Sequence, residues 1–129
     1  MVLDTSAILA ILFNEESADR LENAIASDPV RLVSAATVLE AAIVVECRFG
    51  EVGGRELDIF IHKAALEVVS VAADQVDVAR GAYRTYGKGR HGARLNFGDC
   101  FAYALSKTAA EPLLFAGEDF GKTDVEKVL

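Results

Sequence analysis

The stretch Met1–Leu12, MVLDTSAILAIL, decides how the rest of the chain is read. Three apolar residues run into a carboxylate at Asp4, and a second apolar run follows at once. Met1–Asp4 reads as a short buried strand that ends on the acid, and Thr5 or Ser6 then caps a helix through SAILAILFN. A strand handing over directly to a helix is the opening unit of an α/β domain. Its acid stands at the carboxyl end of the first strand, where open parallel sheets bind their ligands. A strand-ending Asp that merely caps the next helix is the competing reading.

Outward from there the pattern repeats. ESADRLENAIAS has a helical stripe of Ala18, Leu21, Ala24 and Ile25, broken by Asp28-Pro29. VRLVS is a strand by its β-branched content. AATVLEAAIVVECRFG is a helix, apolar nearly all round and so expected to be largely buried. Gly53-Gly54 is expected to turn, and RELDIFIHKAAL to be helical. EVVSV is a strand, ADQVDVARGAYRTYG a helix, and KGRHGAR a loop. A helix follows from Asn96 to about Ala110, then Pro112 and a last strand, LLFAG. The tail TDVEKVL fits neither pattern. The alternation implies an α/β domain, 1–129, with a mainly parallel sheet covered by helices on both faces.

Composition bounds the function. At 129 residues, 52% of them hydrophobic, the chain has material for one domain with a real core. Cys47 and Cys100, both in apolar stretches, suit reduced thiols in the cytoplasm better than a disulfide framework. Met1–Ala7 lacks a basic leader, and no apolar run approaches the ~20 residues needed to cross a bilayer, so no membrane role is expected. The net charge of −7 argues against a general nucleic-acid binder. The distribution argues otherwise. From Val78 to Gly98 there is no acid, whereas Arg80, Arg84, Lys88, Arg90 and Arg94 give that segment +5 and leave −12 for the remainder. Such a strip can meet phosphate, or it can be a solvated helix face and loop.

Four acids are candidates for chemistry. Asp4 ends the first strand. Glu40 lies among Leu39, Ala41, Ala42 and Ile43, where an ionised side chain needs a partner or a cleft. Asp99 opens a helix; with Asn96 as N-cap it takes the position that closes a capping box, where the helix dipole also favours an acid. Asp119, beside Glu118, follows the last strand. Four carboxylates gathered at one end of a sheet repel one another, and a divalent cation removes that penalty. Hard cations such as Mg²⁺ take oxygen ligands and complete their shell with water and substrate phosphate.

The motifs MVLDTSAILAIL, SAATVLEAAIVVE, RFGEVGGRELD, YGKGRHGARLNFGDCFAYALSK and PLLFAGEDFGKTDV, in that order over nearly the whole chain, resemble the PIN-domain ribonucleases, and among them the VapC toxins of type II toxin–antitoxin modules. The resemblance implies a PIN fold and an Mg²⁺- or Mn²⁺-dependent endoribonuclease that leaves 5′-phosphate and 3′-hydroxyl ends. It also implies an RNA substrate, a VapB-type antitoxin that blocks the cleft, and a toxin homodimer. Its four acids fall on Asp4, Glu40, Asp99 and Asp119, with Glu118 open as an alternative for the last. Asp4 and Asp99 would be the primary metal ligands, with Glu40 and Asp119 completing the shell or orienting the nucleophile. Thr5 or Ser6 would hydrogen-bond a carboxylate or the phosphate.

The basic strip then becomes an RNA-binding candidate through Arg84, Lys88, Arg90 and Arg94, with Tyr83, Tyr86 and Phe97 able to stack on bases. Phe97 reads equally well as core. The apolar runs SAILAILF and AAIVVECRF are expected to present surface to a partner or a second copy. A metal-dependent phosphotransfer domain, a HAD-like phosphatase or a receiver, is the alternative. The phosphatase would need an Asp two residues after Asp4, where Ser6 stands, and the receiver an early acid pair. An imidazole ribonuclease would need His62 and His91, the only two histidines, to cooperate.

Overall fold

The computed structural model describes residues 1–129. Strand β1 (Val2–Leu3) pairs in parallel with β2 (Leu32–Ser34) on one side and β4 (Leu113–Leu114) on the other, and β3 (Glu67–Val69) adds in parallel to β2. The order is therefore β3-β2-β1-β4. The strands are shorter than the apolar runs that encode them, but the ladder continues past β4. The Leu113 N–H donates to the Glu126 carbonyl at 2.8 Å and the Val128 N–H to the Leu113 carbonyl at 3.1 Å, so the unassigned tail covers that edge.

Side-chain alternation in the strands builds two cores. Met1, Leu3, Val33 and Leu114 face one side, where they meet helices α1 (Thr5–Leu12), α2 (Ala18–Ser27), α3 (Ala35–Phe49) and α4 (Glu51–Lys63). Val2 and Leu113 face the other, against α5 (Ala73–Tyr86) and α6 (Phe97–Ala109). Each fully buried side chain of this size contributes about 1.5–3 kcal/mol. Helices therefore lie on both faces of the sheet, as the alternation of elements implies.

Three local expectations need correction. Asp4, not Thr5 or Ser6, is the N-cap of α1, because its side chain accepts the Ser6 N–H. Gly53-Gly54 is not a turn but lies inside α4. A β-carbon at Gly53 would overlap the Val45 carbonyl of α3, so the glycine permits the close approach of the two helices. Lastly, the burial of the two apolar helices is not what their composition suggests. SAILAILF is mostly core, with Ala7, Ile8, Ala10 and Ile11 buried. In α3 only Thr37, Ala41 and Val45 are buried; Leu39 is 62% and Ile43 54% exposed. α3 is covered by α1, α4, α6 and the sheet, and the side that carries Leu39 and Ile43 stays bare.

Candidate active site

Topology explains why distant acids meet. The sheet changes direction at β1: the chain moves outward from β1 to β2 and β3, then returns to lay β4 on the opposite side. The carboxyl ends of β1 and β4 thus flank the switch point, where such sheets form their crevice. Asp4 leaves β1 there, and Asp119 follows β4 and precedes a turn of 3₁₀ helix, Phe120–Lys122. Helix α3 starts from β2 at the same end, with Glu40 in its second turn. Helix α6 runs into β4 from the other direction, which puts its N-terminus and Asp99 at the carboxyl ends of the strands. The carboxylates sense one another across this crevice. Asp4 feels the charges of Asp99 and Glu40, and Asp99 those of Glu40 and Asp119. Glu118 does not figure in either set.

Asp4 is only 2% exposed. Its Oδ2 accepts the Ser6 N–H at 2.9 Å and the Ser6 hydroxyl at 2.6 Å. The Ser6 Oγ in turn accepts the Ala116 N–H at 3.0 Å, which ties the start of α1 to the residues after β4. The other oxygen, Oδ1, is buried with no partner. Burial pushes the Asp4 carboxyl up to about 6; the two Ser6 hydrogen bonds oppose that rise, and Asp99 and Glu40 add to it.

Asp99 closes a capping box, as its spacing from Asn96 predicts. Its Oδ2 accepts the Asn96 N–H at 2.9 Å, and Asn96 Oδ1 accepts the Asp99 N–H at 2.9 Å. Burial still holds its carboxyl above the usual range, against the pull of the Asn96 bond and with the help of Glu40 and Asp119. Glu40 is half-buried and takes a short hydrogen bond from the Thr5 hydroxyl on Oε1. Its carboxylate lies over Gly98, where a β-carbon would overlap it. Gly98 is therefore a site residue that reading for charged groups misses. The signal was the glycine directly before the acid in NFGD.

No three of these acids, with or without a His or Cys, stand close enough to share one ion in this arrangement. Glu40 and Asp99 each have an oxygen engaged by a neighbour of their own chain. The donor set nevertheless fits a hard divalent cation. It consists of carboxylate oxygens alone, one of them buried and unpartnered, in a crevice where burial raises both aspartates and the neighbouring acids add to the rise. Cys100, beside Asp99, is pushed up to about 11, largely by burial, so its thiol stays protonated and offers no nucleophile. His62 on α4 and His91 in the loop after α5 lie on separate elements, and the His91 Nδ1 accepts the Ala93 N–H at 3.0 Å.

Arg84 on α5 and Lys88, Arg90 and Arg94 in the loop between α5 and α6 are all exposed, as is Arg80, and no carboxylate pairs with any of them. The loop is pinned at its base by the Lys88 N–H to the Leu95 carbonyl at 2.8 Å and the Leu95 N–H to the Tyr86 carbonyl at 3.0 Å. Its residues Lys88 to Gly92, with Arg94, line an open depression of about 580 Å³. Tyr86 packs against His91 and Tyr103, whereas Phe97 is 79% exposed and is not core. No helix is long and apolar enough to cross a membrane.

Residues 1–126 match the PIN domain family. The chain is 61% identical over 128 residues to a ribonuclease VapC of Mycolicibacterium smegmatis, covering 99% of both chains. It is 59% identical over 128 residues to ribonuclease VapC30 of Mycobacterium tuberculosis, covering 99% of this chain and 98% of that one. Among solved structures, Mycobacterium tuberculosis VapC20, described as a sarcin–ricin loop cleaving toxin, superposes with a TM-score of 0.78 at 16% identity over 96% of this chain and 95% of that one. VapBC2 from Rickettsia felis, solved with a DNA fragment from its promoter, gives 0.70 at 19% identity over 94% and 90%. These two show the shared fold.

Proposed function

The chain belongs to the PIN-domain family and, within it, to the VapC ribonucleases; on that premise we propose that it is a toxin that hydrolyses RNA phosphodiester bonds with a divalent cation, Mg²⁺ or Mn²⁺, held by Asp4, Glu40, Asp99 and Asp119, and that a VapB-type antitoxin restrains it. One observation carries the reading: Asp4, sealed in the crevice with an unpartnered oxygen and a carboxyl raised to about 6. A group so placed has no structural use for its second oxygen and gains most from a cation. When bound, the cation supplies charge neutralisation, polarisation of the phosphodiester and a water that ionises near neutral pH.

The chain's own residues prepare the site. Ser6 fixes one oxygen of Asp4 and leaves the other for the ion. Asn96 does the same for Asp99 at the lip of the crevice. Thr5 orients Glu40, and Gly98 leaves room for it. Asp119 adds a fourth acid, favoured over Glu118 because Asp99 feels its charge. Arg84, Lys88, Arg90 and Arg94 hold the RNA backbone beside the carboxylates, while the acidic remainder faces away. The bared apolar side of α3, at Leu39 and Ile43, receives the second copy or the antitoxin. An Arg from the antitoxin inserted among the carboxylates would satisfy them in place of the ion. The free cysteines suit a single cytoplasmic domain.

The decisive experiment incubates antitoxin-free protein with total RNA in Mg²⁺, Mn²⁺ or EDTA and maps the fragment ends. Discrete cuts with 5′-phosphate and 3′-hydroxyl ends, lost in EDTA, are expected. Cleavage that persists in EDTA would falsify the cation-dependent reading. The phosphotransfer alternative predicts labelling of Asp4 by acetyl phosphate. Ser6, committed to Asp4 and Ala116, cannot stand in for the second Asp that a phosphatase needs.

A further inference from the structure

A groove of about 650 Å³ lies between α5 and α6, and the carboxylate set does not use it. Its apolar surface comes from Ala79 and Cys100, with Tyr83, Phe97 and Phe101 as aromatic walls. Phe97 is the most exposed large apolar side chain at 79%. It touches Phe101 edge-to-face, with centroids 4.9 Å apart and planes at 85°, so its ring is largely bare. Tyr83 is 40% exposed, with the Arg90 guanidinium 6.0 Å from its ring. Arg80, Arg84 and Lys88 form the rim; none is ion-paired, and no acid lines the groove.

Two residues tie the groove to the rest of the site. Asn96 lines it and also donates its backbone N–H to Asp99; its side-chain oxygen is committed to the Asp99 N–H, and its amide NH₂ group is free. Lys88 lines both the groove and the basic depression of the loop, so the positive surface is continuous between them. Whatever fills the groove therefore sits within a residue of a carboxylate and joins the path of a polyanion.

Bare aromatic rings, a cationic rim and an uncommitted amide donor together recognise a nucleobase attached to a phosphate backbone. Resting on the ribonuclease reading above, we infer that the α5–α6 groove is a base subsite: it takes one unstacked nucleobase of the RNA, next to the scissile phosphate, between Phe97 and Tyr83. A base inside a duplex cannot enter, so the subsite restricts cleavage to loops and single strands. The Asn96 amide is placed to test the edge of that base.

The test has two arms. In EDTA, a short single-stranded RNA carrying one 2-aminopurine is titrated with the protein. Stacking in the groove quenches its fluorescence at one probe position. Phe97→Ala abolishes the quench and Phe97→Trp restores it. With Mg²⁺ or Mn²⁺, an oligonucleotide spanning a cut mapped in total RNA is scanned with single abasic sites. One position beside the cut is expected to lower kcat/KM by about 5- to 100-fold, the usual value of one stacked base. Phe97→Ala should lose as much on the intact RNA and nothing further on the abasic one. Quenching without any cleavage in the second arm overturns the ribonuclease reading but leaves the groove a base site. Cleavage with no quench at any position, or losses from Phe97→Ala and the abasic site that multiply, overturns the subsite. A changed sedimentation coefficient for Phe97→Ala also overturns it, because the groove is then an interface between protein chains.

Discussion

Asp4 and Asp99 are the same residue in the same kind of place, yet the chain treats them differently. Each stands at the N-terminal end of a helix that begins where strands of the sheet end, and each accepts a backbone N–H on one oxygen only. At the β1–α1 corner the surroundings are apolar. Asp4 is buried, with Ser6 on one oxygen and nothing on the other, and its carboxyl is raised to about 6. At the start of α6 the surroundings are more open, and the charges that act on the carboxylate are those of Glu40 and Asp119. Asp99 is half-buried, and the acid-free segment from Val78 to Gly98 runs up to it. Capping accounts for half of each carboxylate and leaves the other half. On the proposed function, the buried corner would anchor the cation at a cost in stability, and the open corner would present it to substrate.

The largest expected effect tests what the two corners share. Asp4→Asn and Asp99→Asn each remove a charge with little change in shape. Both should lower RNA cleavage by about 100- to 10,000-fold, the worth of several kcal/mol of cation-supplied stabilisation. Full activity in either variant, measured on a mapped cleavage site, would reduce that Asp to a helix cap.

Stability in the absence of metal should separate the corners. A carboxyl whose folded pKa is raised favours the protonated, folded state. Its stabilising contribution is present below the ordinary value near 3.8 and is lost as pH rises through about 6. Above pH 6 an ionised Asp4 therefore costs about 3 kcal/mol, at ~1.4 kcal/mol per pH unit. In EDTA at pH 7.5, Asp4→Asn should melt several degrees above wild type, with the gap closing towards pH 4. A divalent cation at ~100 times its Kd should return ~2.7 kcal/mol to wild type and little to the variant. Asp99→Asn should show a smaller gain, because Asp99 is more exposed and the Asn96 N–H opposes the rise. Equal gains in thermal scans across pH would erase the distinction.

Gly98→Ala probes the point where the two corners meet. The added methyl overlaps the Glu40 carboxylate, which is the movable end of a side chain. Overpacking costs about 1 kcal/mol and is offset by a helix-propensity gain of similar size, so the melting temperature should hardly move. Cleavage should fall by about 10- to 100-fold, because displacement of about 1 Å at a reacting centre is enough for that. An active Gly98→Ala chain would show that Glu40 needs no fixed position.

What was legible beforehand follows from the same physics. Asp4 and the Asn96–Asp99 box were readable because strand ends and helix starts carry local signals in type and spacing. That the four acids face one crevice was readable only through sheet topology, which the alternation of elements supplied; their separation, with no three close enough to share one ion, was not. Gly53 and Gly98 were not legible as packing glycines, since what each admits comes from a different segment: the Val45 carbonyl and the Glu40 carboxylate. The burial of α3 was misjudged for a related reason. A helix that is apolar all round is buried only if something covers each side, and within this chain nothing covers Leu39 and Ile43.

The smallest effect concerns the open corner alone. Lys88 and Arg90 lie on the basic side of Asp99, exposed and unpaired, and neither touches the crevice acids through a salt bridge. If they hold backbone phosphates, each lost contact should flatten the dependence of log affinity on log salt by about 0.7 for single-stranded RNA. Lys88→Ala with Arg90→Ala should therefore reduce the slope by about 1.4 and weaken binding uniformly across sequences. Cation binding, read from the melting temperature with and without Mn²⁺, should stay as in wild type, since neither Lys88 nor Arg90 is among the proposed ligands Asp4, Glu40, Asp99 and Asp119. An unchanged slope would make this segment a solvated loop and move the RNA path to another face. A changed cation response would mean that the two corners are one electrostatic unit.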